Sequence, residues 1–217
     1  MINTNHRGHF IVISGPSGAG KGTICKELLK RNENLAFSIS MTSREKRDYE
    51  EDGREYYFTT KEDFEQKIQE DYFLEHAIVH NNQYYGTPKK EVENLIEKGK
   101  NVIIEIDIQG ALQIKEKVKD GLYIFILPPS MKELKKRLIK RGTESKEKIF
   151  ERFKKAYTEI NQVNNYNYVV VNDEIETAVK KVEAILLAEN CRVDRIVSLN
   201  LDTKEELLHE ILTNEGE

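Results

Sequence analysis

Tryptophan is absent from the 217 residues, cysteine occurs twice and proline four times, and glycine is held to 12. A chain so poor in proline and glycine is neither collagen-like nor low-complexity. The two cysteines, Cys25 and Cys191, form no CxxC pair and have no nearby histidine, which excludes a disulfide scaffold and leaves two reduced structural thiols as the expectation. Long hydrophobic runs are missing too. Stretches such as Phe10–Ile13 and Val102–Ile104 fall far short of the roughly 20 residues that a membrane span requires. No apolar segment precedes the first strand-like run, so a secretory signal is not expected and a cytoplasmic location is. Positive charge is not in excess: 34 Lys and Arg against 38 Asp and Glu give a net charge of -4. That balance argues against binding nucleic acid through a global positive field, so any anion site must be built locally.

What is present is a strong alternation. Strand-like runs at Phe10–Ser14, Val102–Ile106, Tyr123–Leu127 and Tyr168–Val171 are each followed by helical spacing. The pattern predicts βαβ units, hence an α/β fold with a mainly parallel sheet flanked by helices. Helices are expected over Lys21–Lys30, Lys61–Gln69, Lys89–Glu97, Ala111–Lys119, Met131–Lys140, Lys146–Asn161 and Glu174–Glu189. Residues 38–87, rich in Ser, Thr, Arg, Asp and Tyr, break the alternation and read as a small insertion with strands near Tyr56–Thr59 and Phe73–His80. A second break near Gly142 reads as a hinge or lid over 142–152. Residues 1–37, 88–141 and 153–190 then make the core domain. The tail, 191–217, reads as a final segment and a short amphipathic helix over Thr203–Leu212.

Between the first strand and the first helix lie Gly15, Pro16, Ser17, Gly18, Ala19, Gly20, Lys21, Gly22 and Thr23. Glycines let a loop turn its N–H groups around a phosphate, the helix start adds partial positive charge, and Lys21 can reach the terminal phosphates. The residue after Lys21 is Gly22 where such loops usually carry a hydroxyl for Mg²⁺. Either the ion is held largely by water and nucleotide, or Thr23 helps bind phosphate, and no direct protein ligand to the metal is assigned. Glu105 and Asp107, two apart at the end of the second long strand, point to one face. Arg44 and Arg47 follow a hydroxyl-rich strand end and suit a monoester phosphate, with Tyr56 and the Tyr84–Thr87 segment downstream. His76 and His80 share a strand face, but with no third ligand an ordinary hydrogen-bonded role is the commoner reading. Arg137 and Arg141 are i,i+4 on one helix, and Arg152 is on the next.

Taken in order, the loop Gly15–Lys21, Ser40 with Thr42, Arg44 and Arg47, Gly53 with Tyr56, Phe73–Glu75, Tyr84–Thr87, Glu105 and Asp107 with Gly110, Arg137 with Arg141, and Val171–Asp173 resemble the guanylate kinases over about residues 9–190. The resemblance implies a P-loop NTPase-type fold, with GMP bound by the 38–87 insertion, and Mg²⁺-dependent transfer of the γ-phosphoryl group of ATP to GMP and dGMP. It implies that Arg44, Arg47, Tyr56 and Tyr85 hold the GMP phosphate and that Ser40, Glu75, Thr87 and Asp107 read the guanine, with Glu50 and Glu105 as further acidic positions of that region. It sets Lys21, Arg137 and Arg152 at the transferring phosphates, and Arg141 and Asn172 against the adenine. The chemistry agrees: one carboxylate can accept from guanine N1–H and its 2-amino group together, whereas adenine meets it with a lone pair. Two other readings remain: a kinase for another nucleoside monophosphate, and a guanylate-kinase-like domain that binds proteins without catalysis. Intact Lys21, Arg44, Arg47 and Arg137 speak against the last. Nucleic acid and membranes are not expected partners, and a homo-oligomer is compatible with the sequence.

Overall fold

Five parallel strands form the central sheet, in the spatial order β10 (Tyr168–Val171), β9 (Leu122–Leu127), β2 (Phe10–Ser14), β8 (Asn101–Glu105) and β3 (Leu35–Phe37). This computed structural model describes residues 3–6, 8–79, 82–140 and 146–200. Along β2 the side chains alternate between two apolar layers, as period two requires. Ile11 and Ile13 pack with α1 (Lys21–Arg31) and α7 (Ile175–Asn190), through Ile24, Leu28, Val179 and Val182. Val12 faces the opposite layer, where α3 (Lys89–Glu97) and α4 (Ile108–Lys117) supply Val92, Ile96, Ala111 and Ile114. Burial on both faces explains why these strands read as continuous apolar runs.

The second sheet has the order β5 (Tyr57–Phe58), β4 (Met41–Thr42), β7 (Gln83–Pro88) and β6 (Phe73–Val79). It has its own small core, in which Phe64 of α2 (Lys61–Gln69) stacks on Phe73 at 4.3 Å beside Met41 and Tyr84. Gln113 of α4 clamps this sheet to the main body: its Oε1 accepts from His76 N and its Nε2 donates to His76 O, both at 3.2 Å. A third unit, α5 (Met131–Lys140) against α6 (Lys146–Ile160), buries Leu134, Leu138 and Ala156.

Two differences from expectation stand out. α4 begins three residues before the expected Ala111, because the Asp107 side chain caps it by accepting from Gly110 N at 2.9 Å. Strand β1 (Asn3–His6) is not legible in a polar segment, yet it pairs antiparallel with β11 (Ile196–Asn200) from the tail. The tail is further tied down by Arg195, whose Nε lies 2.6 Å from Glu189 and whose Nη1 is 3.2 Å from His9 Nδ1, at the opposite end of the sheet from the glycine-rich loop. A cavity of about 810 Å³ at that end is lined by groups such as these that already pair with one another. His80, Arg141, the first part of the 142–152 segment and the helix expected over Thr203–Leu212 lie outside the described residues. Among the described residues no helix is long and apolar enough to cross a membrane.

Candidate active site

The loop Gly15–Thr23 joins the carboxyl end of the central strand β2 to α1, where open α/β sheets bind their ligands. Gly15 lies so close to β9 that a Cβ there would be 2.2 Å from the Ile126 carbonyl. Gly20 caps α1 in a left-handed conformation with no side-chain acceptor, and the first turn of α1 carries no acid, so its N–H groups remain available to an anion. Lys21 folds back over the loop, donating from Nζ to the carbonyls of Gly15 (2.7 Å) and Pro16 (3.3 Å). Burial pulls its pKa below the usual lysine value, while the carboxylates of Glu105, Glu159 and Asp107 act in the opposite direction.

Cations from the helical hairpin converge on the same loop. Arg152 of α6 donates to the Ser17 hydroxyl, and Arg137 of α5 donates from Nη2 to the Asn172 carbonyl at 3.1 Å, with Glu133 3.5 Å from its Nε. Asn172 itself is buried, and its side-chain Nδ2 donates to the Ala19 carbonyl of the loop at 2.7 Å.

The residues expected to take a monoester phosphate and a base lie on and beside the second sheet. Glu50, 4% exposed, accepts from Arg44 Nη2 (2.8 Å) and from the Arg47 main-chain N (2.9 Å). The guanidinium beside it pulls the Glu50 carboxyl below its ordinary pKa, and the same hydrogen bond raises Arg44. Arg44 also lies 5.5 Å from the Tyr56 ring centroid, and Tyr56 meets Tyr85 edge-on at 5.8 Å. The Arg47 side chain is exposed and donates to the Tyr49 hydroxyl at 2.8 Å. Glu50 therefore orients the arginines.

Glu75 on β6 stands opposite Thr87 on β7 and accepts from its hydroxyl at 2.7 Å. Its other oxygen faces Gly110, where a Cβ would approach to 3.1 Å. Burial pushes this carboxyl up to about 7, with the Thr87 hydrogen bond opposing and the Asp107 charge adding to the rise. Ser40, half-buried, passes its carbonyl to Tyr57 N at 2.9 Å.

Asp107 joins the halves. Its charge acts on both Lys21 and Glu75, which puts it within electrostatic reach of the loop and of the buried acid. A cavity of about 480 Å³ lies beside it, between the start of α4 and the later part of α6. Glu105 sits differently from its strand neighbour: its carboxylate oxygens are 3.3 and 3.5 Å from the position a Cβ on Gly22 would take, which puts it against the loop rather than against Glu75. Glu159 was not singled out by sequence pattern. The signal existed, for Glu159 lies seven residues beyond Arg152, on the same face of one helix.

Comparison with known proteins adds a family. The family model described as guanylate kinase matches residues 7–189. A guanylate kinase from Clostridium perfringens (strain SM101 / Type A) is 62% identical over 211 residues, covering 97% of each chain. One from Clostridium tetani (strain Massachusetts / E88) is 60% identical over 206 residues, covering 95% of this chain and 98% of that protein. The crystal structure of guanylate kinase from Anaplasma phagocytophilum matches with a TM-score of 0.71 at 32% identity, over 97% of this chain and 96% of that one.

Proposed function

This chain belongs to the guanylate kinase family, and on that premise we propose that it transfers the γ-phosphoryl group of ATP to GMP, and to dGMP, giving ADP and GDP. The observation that carries the reading is Glu75, a buried acid with one oxygen held by Thr87 and the other facing Gly110. Ionised, it accepts together from guanine N1–H and the 2-amino group; adenine would bring a lone pair and leave it short of donors, a mismatch worth about 10⁴ in sites of this kind. Thr87, Ser40 and Asp107 complete the base pocket on this reading, and Arg44, Arg47, Tyr56 and Tyr85 take the monoester phosphate.

The loop Gly15–Thr23 takes the triphosphate on its N–H groups. Lys21, Arg137 and Arg152 surround the migrating group with positive charge, which is most of what phosphoryl transfer asks of a protein. Asn172 and Arg141 are assigned to the adenine. Closure of the hairpin and the 38–87 region over both nucleotides excludes water.

Gly22 leaves no hydroxyl at the usual metal position, but it leaves room for the Glu105 carboxylate. That donor set fits a hydrated Mg²⁺ carried mainly by phosphate oxygens, and among the described residues no group of three or more His, Cys, Asp or Glu could hold the ion unaided. Glu105, with Thr23 near the helix start, would hold it; bound there, the ion neutralises phosphate charge.

ATP supplied with GMP, dGMP, AMP, UMP or CMP in turn tests the proposal by the ADP released. GMP and dGMP are expected to support turnover. Comparable turnover with AMP would redirect the assignment to another monophosphate, and no GMP-dependent ADP at all would leave a binding domain.

A further inference from the structure

Asn172 follows β10 and is 1% exposed. Its main-chain N–H donates to the Leu127 carbonyl at the end of β9 at 2.7 Å, and its own carbonyl receives Arg137 Nη2 at 3.1 Å. Its side-chain Nδ2 donates to the Ala19 carbonyl of the phosphate loop at 2.7 Å. A Cβ on the next loop residue, Gly20, would fall 2.3 Å from that same Nδ2, so the amide fills the space the glycine leaves. Elsewhere on the loop, a Cβ on Gly18 would meet Leu134 Cδ1 at 3.0 Å and Leu138 Cδ2 at 3.1 Å. The helix that carries Arg137 therefore rests directly on the loop.

We propose that Asn172 is a positioning residue for the transfer: its side-chain amide fixes the phosphate loop through Ala19 while its main chain holds Arg137 in waiting, so that loop and arginine meet the triphosphate in one fixed relation. A loop can turn its N–H groups toward a phosphate only if its carbonyls turn away and find donors there, because an unpaired buried carbonyl is costly. Lys21 serves the carbonyls of Gly15 and Pro16. Asn172 serves that of Ala19. The adenine role assigned to Asn172 falls to its Oδ1, which is buried and has no hydrogen-bond partner among the described residues. The two roles thus use different atoms.

The inference rests on the assignment of this loop to the triphosphate, and inorganic tripolyphosphate, which has no base, separates the roles. It is titrated calorimetrically into wild type, Asn172→Ala and Asn172→Asp, with GMP titrated into each as the check on folding. Loss of the brace weakens tripolyphosphate about tenfold in Asn172→Ala, the loss typical of one buried hydrogen bond. Asn172→Asp keeps the volume but turns an acceptor on the Ala19 carbonyl, and the loss there is larger. GMP affinity stays within about twofold, as expected of distant sites. Tripolyphosphate affinity unchanged in both variants while ATP binds more weakly would overturn the proposal, leaving Asn172 a reader of the base; so would a parallel fall in GMP affinity. A wild type that binds tripolyphosphate but does not phosphorylate GMP sinks the acceptor assignment alone, since the titration reads only the loop.

Discussion

Two ionisable groups, the half-buried Lys21 and the buried Glu75, are pushed toward neutrality from opposite sides. In the glycine-rich loop burial lowers Lys21, and in the proposed base pocket burial raises Glu75 to about 7. Their settings differ in kind. Lys21 rests on main-chain carbonyls, so a triphosphate can take it over by displacing neutral acceptors. Glu75 is held by Thr87, and its second oxygen faces Gly110. In both places the ligand supplies what the fold withholds: anionic charge for the lysine, paired donors for the carboxylate. The proposed grip on the acceptor phosphate follows a third arrangement, in which Glu50 already occupies Arg44. There orientation is secured before the ligand arrives, at the expense of some free charge.

The comparison breaks most sharply at Lys21. Lys21→Ala should lower turnover about 10³-fold or more, the scale of losing a charge aimed at the transferring group, measured as GMP-dependent ADP release. In the other half, Glu75→Gln should cut the preference for GMP over AMP by about 10³-fold, because the amide no longer offers two acceptor oxygens. Steady-state kinetics with both acceptors measure it; an intact preference would remove Glu75 from base reading. Glu50→Gln loosens Arg44 without touching the loop, and should raise the KM for GMP about tenfold while that for ATP stays put.

The pH dependence is smaller and has a definite sign. The folded pKa of Glu75 lies above its ordinary value of 4.5, so folding favours its protonated form. Stability from this group is fully present below about 4.5 and declines as pH rises through about 7, by about 3 kcal/mol in all. Glu75→Gln, which cannot ionise, should therefore raise the Tm of the empty protein at pH 8 and change it little at pH 4.5. Guanine needs the ionised form, so affinity should weaken about tenfold per pH unit below 7 and level off above it. Guanosine is the ligand to titrate, since the phosphate of GMP has its own ionisation near pH 6. A flat profile would mean that Glu75 is ionised throughout.

How much of this was readable in the chain depends on distance along it. The phosphate loop declares itself because all its working groups lie within nine residues, and the strands beneath it because burial on both faces leaves uninterrupted Ile and Val. Glu75 and Thr87 were both singled out, but their pairing is a matter of strand register that only the structure gives. Contacts between remote segments were not legible: Gln113 clamping His76, and β1 closing on β11 across the whole chain. Glu105 and Asp107 show the limit well. Alternation put both on one face, but only the three-dimensional setting divides them, the first against Gly22 and the second as the cap of α4 within reach of both halves.

That division between halves is tested most directly by crossed titration: GMP into Lys21→Ala, and tripolyphosphate into Glu75→Gln, each compared with wild type. Two separately built grips opening on one cleft predict that both affinities stay within about twofold while transfer collapses in the lysine variant. If GMP binding fell with the lysine, or tripolyphosphate binding with the glutamate, as steeply as turnover does, the halves would be one site and the account would be wrong.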